Sequence, residues 1–167
     1  AYFTRGTSRN AYAKYSEVGA DYVYNMERLR RKFDTAKTLV PAPVLHAASQ
    51  PTRYGAIHFG STAAAMAEAS ALLEAAGVHV DTLRVRGFPF CDEIMQFIAD
   101  HDYVFVVEQN ESGQLRSLLI NEGEIDPKKL VRVLHYDGSP ITARFTSGRL
   151  ADALSHRTLT PIRKVPS

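Results

Sequence analysis

Residues 103–107, YVFVV, constrain the fold more than any other stretch of the chain. Side chains of a β-strand alternate between two faces, so a run that is apolar at every position needs cover on both sides. Such a strand belongs in the middle of a parallel sheet, and the flanking sequence supplies the layers to cover it. YGAIHF (54–59) reads as a strand. STAAAMAEASALLEAAG follows as a helix, with Ser61 or Thr62 at its N-cap and Gly77 at its end. VDTLRVR (80–86) is a strand with Leu83 and Val85 on one face and Arg84 and Arg86 on the other. CDEIMQFIADH is a short helix, acidic in its first turn, with Ile94, Phe97 and Ile98 as its apolar stripe. After the 103–108 strand, GQLRSLLIN is a helix with Leu115, Leu118 and Leu119 inward. VRVLHY (131–136) is the last strand and ITARFTSGRLADAL the last helix. Strands alternating with helices of this length predict an α/β fold: a three-layer α/β/α sandwich with a mostly parallel sheet of about four to five strands.

The sandwich is expected over residues 54–154, with a C-terminal tail from 155 to 167. Residues 1–53 read differently. The first sixteen are polar and loop-like. From Glu17 to about Val40, Tyr22, Met26, Leu29, Phe33, Ala36 and Val40 recur at spacings of four and three, which predicts one amphipathic helix. Arg28, Arg30, Arg31 and Lys32 surround that stripe as a solvated face. Pro41, Pro43 and Pro51 then mark a linker, because proline fixes φ and discourages helix before it. The start at Ala1 without an initiator methionine is what a processed or partial chain would have.

A net charge of +2 in 167 residues is too small to argue for a nucleic-acid or acidic-membrane partner. No apolar run nears the roughly 18 residues of a membrane span. The N-terminus has no apolar signal-peptide core. Cys91 is the only cysteine, so neither an intrachain disulfide nor a four-thiolate iron–sulfur cluster can form. That composition suits a reducing cytoplasm. The six histidines lack the i, i+4 spacing of a metal-binding helix, so no metal site is assigned.

Candidate chemistry collects where the central strand ends. The apolar run stops at Glu108, Gln109 and Asn110. An unpaired carboxylate costs several kcal/mol to bury, so Glu108 is expected to stay outside the core and mark the strand's carboxyl end. Ligands and partners of open α/β sheets meet the protein at that edge. Two readings stand side by side: the three residues finish a strand and begin a helix, with Ser112 near its N-cap, or they form a polar contact surface. On the second reading, replacing all three by alanine spares the fold and weakens association. Arg116, one turn into the next helix, can point toward the same surface. Gly60 and Ser61, in FGST, offer a glycine and two hydroxyls at a helix start, a place where anions bind, although one glycine is neither a dinucleotide fingerprint nor a phosphate loop. Cys91 sits at a helix start that can lower a thiol pKa, yet no partner histidine is near, so a packing or capping role is expected. No catalytic residue is assigned.

Four stretches resemble, in order, the alpha subunit of the 2-oxoacid:ferredoxin oxidoreductases: NMERLRRKFDTAKTLVPAP, LRVRGFPFCDEI, VFVVEQNESGQLRSLL and KLVRVLHYDGSPITARF. They cover roughly residues 22–154, and the 2-oxoglutarate type is the most similar. The resemblance implies that residues 54–154 form a transketolase C-terminal-like domain and that TRGTSRNAYAKYSE ends a preceding domain. It implies an enzyme that oxidatively decarboxylates a 2-oxoacid with coenzyme A, giving acyl-CoA, carbon dioxide and reduced ferredoxin. Thiamine diphosphate, magnesium and a [4Fe–4S] cluster would sit mainly on a partner beta subunit, with none bound by this chain alone. The domain's part would be subunit assembly and active-site organisation. Two other readings remain open: a stand-alone α/β module taking a small anionic ligand at the FGST edge, and a purely structural assembly domain.

Overall fold

The computed structural model describes residues 8–158. They fall into two compact units divided between Val40 and Pro41. The sequence beyond Thr158, most of the expected tail, lies outside the described residues.

The first unit is a turn followed by helix α1, Gly19–Lys37. The helix matches the expected stripe with slightly shorter bounds. No residue of α1 is buried, however. Tyr22, Met26 and Phe33 are each exposed.

The second unit holds a five-stranded sheet with the order β1-β3-β2-β4-β5. Its strands are β1 (Val44–His46), β2 (Tyr54–Phe59), β3 (Asp81–Val85), β4 (Tyr103–Glu108) and β5 (Leu130–Leu134). β3, β2, β4 and β5 run parallel. β1 is an antiparallel edge strand, pairing Leu45 with Leu83. It lies inside the proline-rich stretch read as a linker, so that reading is corrected for these three residues. Proline at 43 cannot donate to a ladder, which suits a short edge strand and not a central one.

Helices α2 (Thr62–Ala75) and α5 (Ala143–Thr158) cover one face of the sheet, and α3 (Asp92–Asp100) and α4 (Gln114–Gly123) cover the other. The expected three-layer sandwich is therefore the fold. The central strand behaves as its composition requires. Phe105 and Val107 enter the core under α2 and α5, while Val104 and Val106 enter the core under α3 and α4. Each of the four is fully buried, which stabilises by roughly 1.5–3 kcal/mol apiece. Helix α2 ends as its sequence indicates. Gly77 adopts φ +74°, its N–H donates to Glu74, and the Val78 N–H reaches back to Leu73. This is the paired bonding of a left-handed glycine stop.

Candidate functional site

The carboxyl ends of β2, β4 and β5 bring the expected polar residues to one edge, but the residues divide into different roles. Glu108 is completely buried. The expectation that it stays outside the core is wrong, because its charge does not go inside unpaired. The Leu115 N–H donates to Oε2 at 2.7 Å, the Arg116 N–H to Oε1 at 3.0 Å, and the Asn110 amide to Oε2 at 2.9 Å. Asn110 Oδ1 in turn accepts from the N–H groups of Gly113 at 2.8 Å and Gln114 at 3.1 Å. Four N–H groups at the start of a helix have no partner inside it. Here Glu108 and Asn110 together satisfy all four of α4, and the carboxylate sits at the positive end of the helix dipole. Gly113 makes the turn possible: its φ is +69°, and an added Cβ would lie 3.4 Å from Arg132 Nε. Ser112, expected near the cap, is exposed and the N-cap itself is Gly113.

Gln109 has a separate task. Its amide nitrogen donates to Ser61 Oγ at 3.1 Å and Thr62 Oγ1 at 3.2 Å, and its oxygen accepts from the Ile141 N–H at 3.3 Å. One side chain thus ties the ends of β2 and β4 to the loop entering α5. Ser61 occupies the N-cap of α2 but makes no capping hydrogen bond. Gly60 has φ +58° with open space around it.

Arg116 is not part of this edge. Its Nε donates to the Leu130 carbonyl at 2.8 Å and its Nη2 to the Pro127 carbonyl at 2.6 Å. Leu130 pairs with Val104 at the amino end of β4, so the guanidinium points away from the strand ends. Burial, and then Arg132, pull its pKa below the usual arginine value, and Glu108 opposes them.

Beside the polar residues lies an apolar cleft of about 480 Å³, lined by Phe59, Val85, Phe88, Phe90, Leu115 and Leu118 with Arg86 and Gln114 at its margin. Sequence reasoning placed Leu118 inward with Leu115 and Leu119; it is instead 36% exposed and lines this cleft. Of the two rings in FPF, Phe90 is buried and Phe88 is 44% exposed, packed edge-on at 5.3 Å. Cys91 precedes α3 without capping it. Burial and a hydrogen bond to Glu93 push its thiol pKa up, opposite to the effect expected of a helix start. That leaves a thiol, not a thiolate nucleophile.

Sequence reasoning missed His58. It lies on β2, is 3% exposed, and its Nδ1 has no hydrogen-bond partner. Burial, Arg84 and His46 bring its pKa down to about 4. Only the single polar residue within YGAIHF signalled it, and alternation gives no clue to a missing partner. Among the described residues no three His, Cys, Asp or Glu side chains converge as metal ligands. Among them, too, no helix is long and apolar enough to cross a membrane.

A mostly parallel sheet of this order between two helix pairs, with its polar residues gathered where the strands end, defines a transketolase-like α/β domain. The chain is similar in structure to the 2-oxoglutarate:ferredoxin oxidoreductase from Magnetococcus marinus with 2-oxoglutarate, coenzyme A and succinyl-CoA bound, with a TM-score of 0.77 at 20% identity. That likeness covers 91% of this chain and 26% of that one. It is also similar to a split-gene transketolase solved as an inactive beta4 tetramer, with a TM-score of 0.53 at 21% identity, over 68% of this chain and 41% of that one. At these identities the likeness is one of fold. No family model matches the chain, and no curated protein matches it.

Proposed function

We propose that this chain is the C-terminal part of the alpha subunit of a 2-oxoacid:ferredoxin oxidoreductase of the 2-oxoglutarate type. The observation that carries the reading is the extent of the fold likeness. Residues 41–167 cannot by themselves supply 91% of the chain, so the likeness to the ferredoxin oxidoreductase reaches into the segment before Pro41. The four sequence stretches that resemble the same family begin in that segment, at Asn25.

In this reading the domain builds and orients the enzyme without performing chemistry. Its residues do not fit the cofactors of the reaction: one cysteine cannot hold a [4Fe–4S] cluster. The helix start nearest the polar edge has its N–H groups taken by Glu108 and Asn110 and has none left for a diphosphate. The resemblance assigns thiamine diphosphate, magnesium and the cluster mainly to a partner beta subunit, and in this reading coenzyme A and ferredoxin meet the assembled cytoplasmic enzyme. The apolar cleft by Phe59, Phe88 and Leu118, with the exposed side of the strand ends, is the surface offered to the rest of the complex.

The test is reconstitution of the alpha subunit carrying this sequence with its beta subunit. The expected result is 2-oxoglutarate-dependent ferredoxin reduction that requires coenzyme A and disappears when residues 41–167 are deleted. Full activity without those residues, or no activity with any 2-oxoacid, would overturn the assignment.

A further inference from the structure

The fold leaves His58 unpartnered. The residue is 3% exposed, and its Nδ1 is the one buried side-chain N or O atom without a hydrogen-bond partner among the described residues. Burial, and then Arg84 and His46, bring its pKa down to about 4, so at pH 7 the ring is neutral and carries one proton. An orphaned N–H is rarer inside proteins than an orphaned acceptor. The proton therefore sits on Nε2, and Nδ1 is a bare lone pair. Nε2 has no partner among the described residues either. Because it is not a buried orphan, it belongs to the small part of the ring that reaches the surface. His58 thus points a donor outward with nothing to receive it.

The strand register shows what stands around that donor. Side chains of a strand alternate between faces. Ile57, Leu83 and Val85 enter the core under α3 and α4, so His58 and Arg84 lie on the opposite face, the side of α2. The two are paired across β2 and β3. On β1, Leu45 pairs with Leu83, which puts its neighbour His46 on the face of Arg84, one diagonal step away. Three strands therefore gather one buried and two exposed nitrogenous side chains. No acid of β1, β2 or β3 shares their face, since Asp81 lies on the α3 side, held by His101 at 3.1 Å. Of the acids on α2, Glu74 is taken by Ser49 and His79, and Glu68 is exposed. The charged groups that act on His58 are Arg84 and His46.

We infer that His58, Arg84 and His46 form a binding site for a tetrahedral oxyanion, either free phosphate or the phosphate group of a small monoester. The His58 Nε2–H donates to one oxygen from the floor, the Arg84 fork takes others from the side, and His46 closes the outer wall. The anion supplies the acceptor that His58 lacks and relieves the crowding of like charges around it. The whole site lies within the sandwich unit. It stands or falls independently of the proposed enzyme, because it requires no step of that reaction.

Phosphate titration of the full chain tests it, followed by NMR of the histidine ring C–H signals at pH 7. The His46 and His58 signals should shift together and saturate with a Kd of about 1 mM or tighter. Chloride at the same ionic strength should leave them in place. Glycerol 3-phosphate separates the two sources: tighter binding than phosphate assigns the site to an ester, and equal or weaker binding to the free anion. Arg84→Gln, an exposed substitution that spares the core, should weaken binding by about tenfold or more. His58→Phe keeps a ring but removes the donor, and should weaken it too, read from the His46 signal. Arg149→Gln makes the same charge change at an exposed position of α5 and should leave binding as it was. Shifts that do not saturate, chloride acting as phosphate does, or Arg84→Gln or His58→Phe binding like the parent would each overturn the inference.

Discussion

A carboxylate can be buried when the hydrogen bonds it accepts replace those it gives up to water, and Glu108 shows the condition being met by backbone groups rather than by a cation. This was illegible in the sequence for a physical reason. Its donors are the N–H groups of Leu115 and Arg116, brought back by a turn at Gly113 that composition does not encode. Of the two readings of the EQN stretch, helix capping is the one its contacts describe for Glu108 and Asn110. Removing Glu108 leaves one buried and one part-buried N–H group without acceptors, so Glu108→Ala should destabilise by about 3 kcal/mol in urea unfolding. That is the opposite of the expectation that replacing all three residues by alanine spares the fold, and the unfolding measurement decides between them. Gln109→Ala should cost about 2 kcal/mol or less, since it joins loops and fills no helix end. His58 gives a pH signature. Its folded pKa of about 4 lies below the unfolded 6.5. The unfolded chain therefore binds the extra proton, and the contribution is complete above pH 6.5 and falls away as pH drops toward 4. The difference is on the order of 3 kcal/mol. His58→Gln should flatten the slope of stability against pH between 4 and 6.5 by close to one proton. An unchanged slope would mean that the imidazole charges as freely in the fold as in the unfolded chain.

At the scale of elements, periodicity carried most of the fold. The four parallel strands and five helices were legible because each repeats one pattern for long enough to be counted, and their ends differ from expectation by four residues at most. β1 was not, since three residues between prolines have no period and their pairing with β3 is set some forty residues away. Leu118 was misassigned because the inward arc of α4 is narrower than its leucine pattern: Leu115 and Leu119 lie on it and Leu118 on its shoulder. For α1 the stripe was legible and its cover was not. A buried stripe would make truncation cost about 2–5 kcal/mol. With Met26 43% exposed, Met26→Ala should instead shift unfolding of the dilute chain by no more than about 0.5 kcal/mol. Close packing is expected at Gly55, where a Cβ would meet the Phe97 ring at 2.7 Å and His101 at 3.2 Å. Neither ring can withdraw: Phe97 is in the core, and His101 is held by the Phe97 carbonyl at 2.7 Å and by Asp81. Gly55→Ala should cost about 1–3 kcal/mol by overpacking, read as a lowered urea midpoint with an unchanged slope.

Across the whole molecule, the two core clusters share one sheet, and every residue of both lies between Tyr54 and Leu154. Successive residues of β4 belong to opposite clusters, so neither face can open without exposing the strand that serves the other. Unfolding of this unit should be a single transition. Neither cluster includes a residue before Pro41, so the apolar burial that stabilises the sandwich is complete without the first forty residues. A chain beginning at Pro41 should therefore fold, and at about 1 µM its stability should match that of the full chain within about 1 kcal/mol, a few degrees in Tm. Paired melting curves of the two chains measure the difference. A shortened chain that fails to fold would mean that residues 1–40 contribute to the sandwich in a way its core clusters do not reveal.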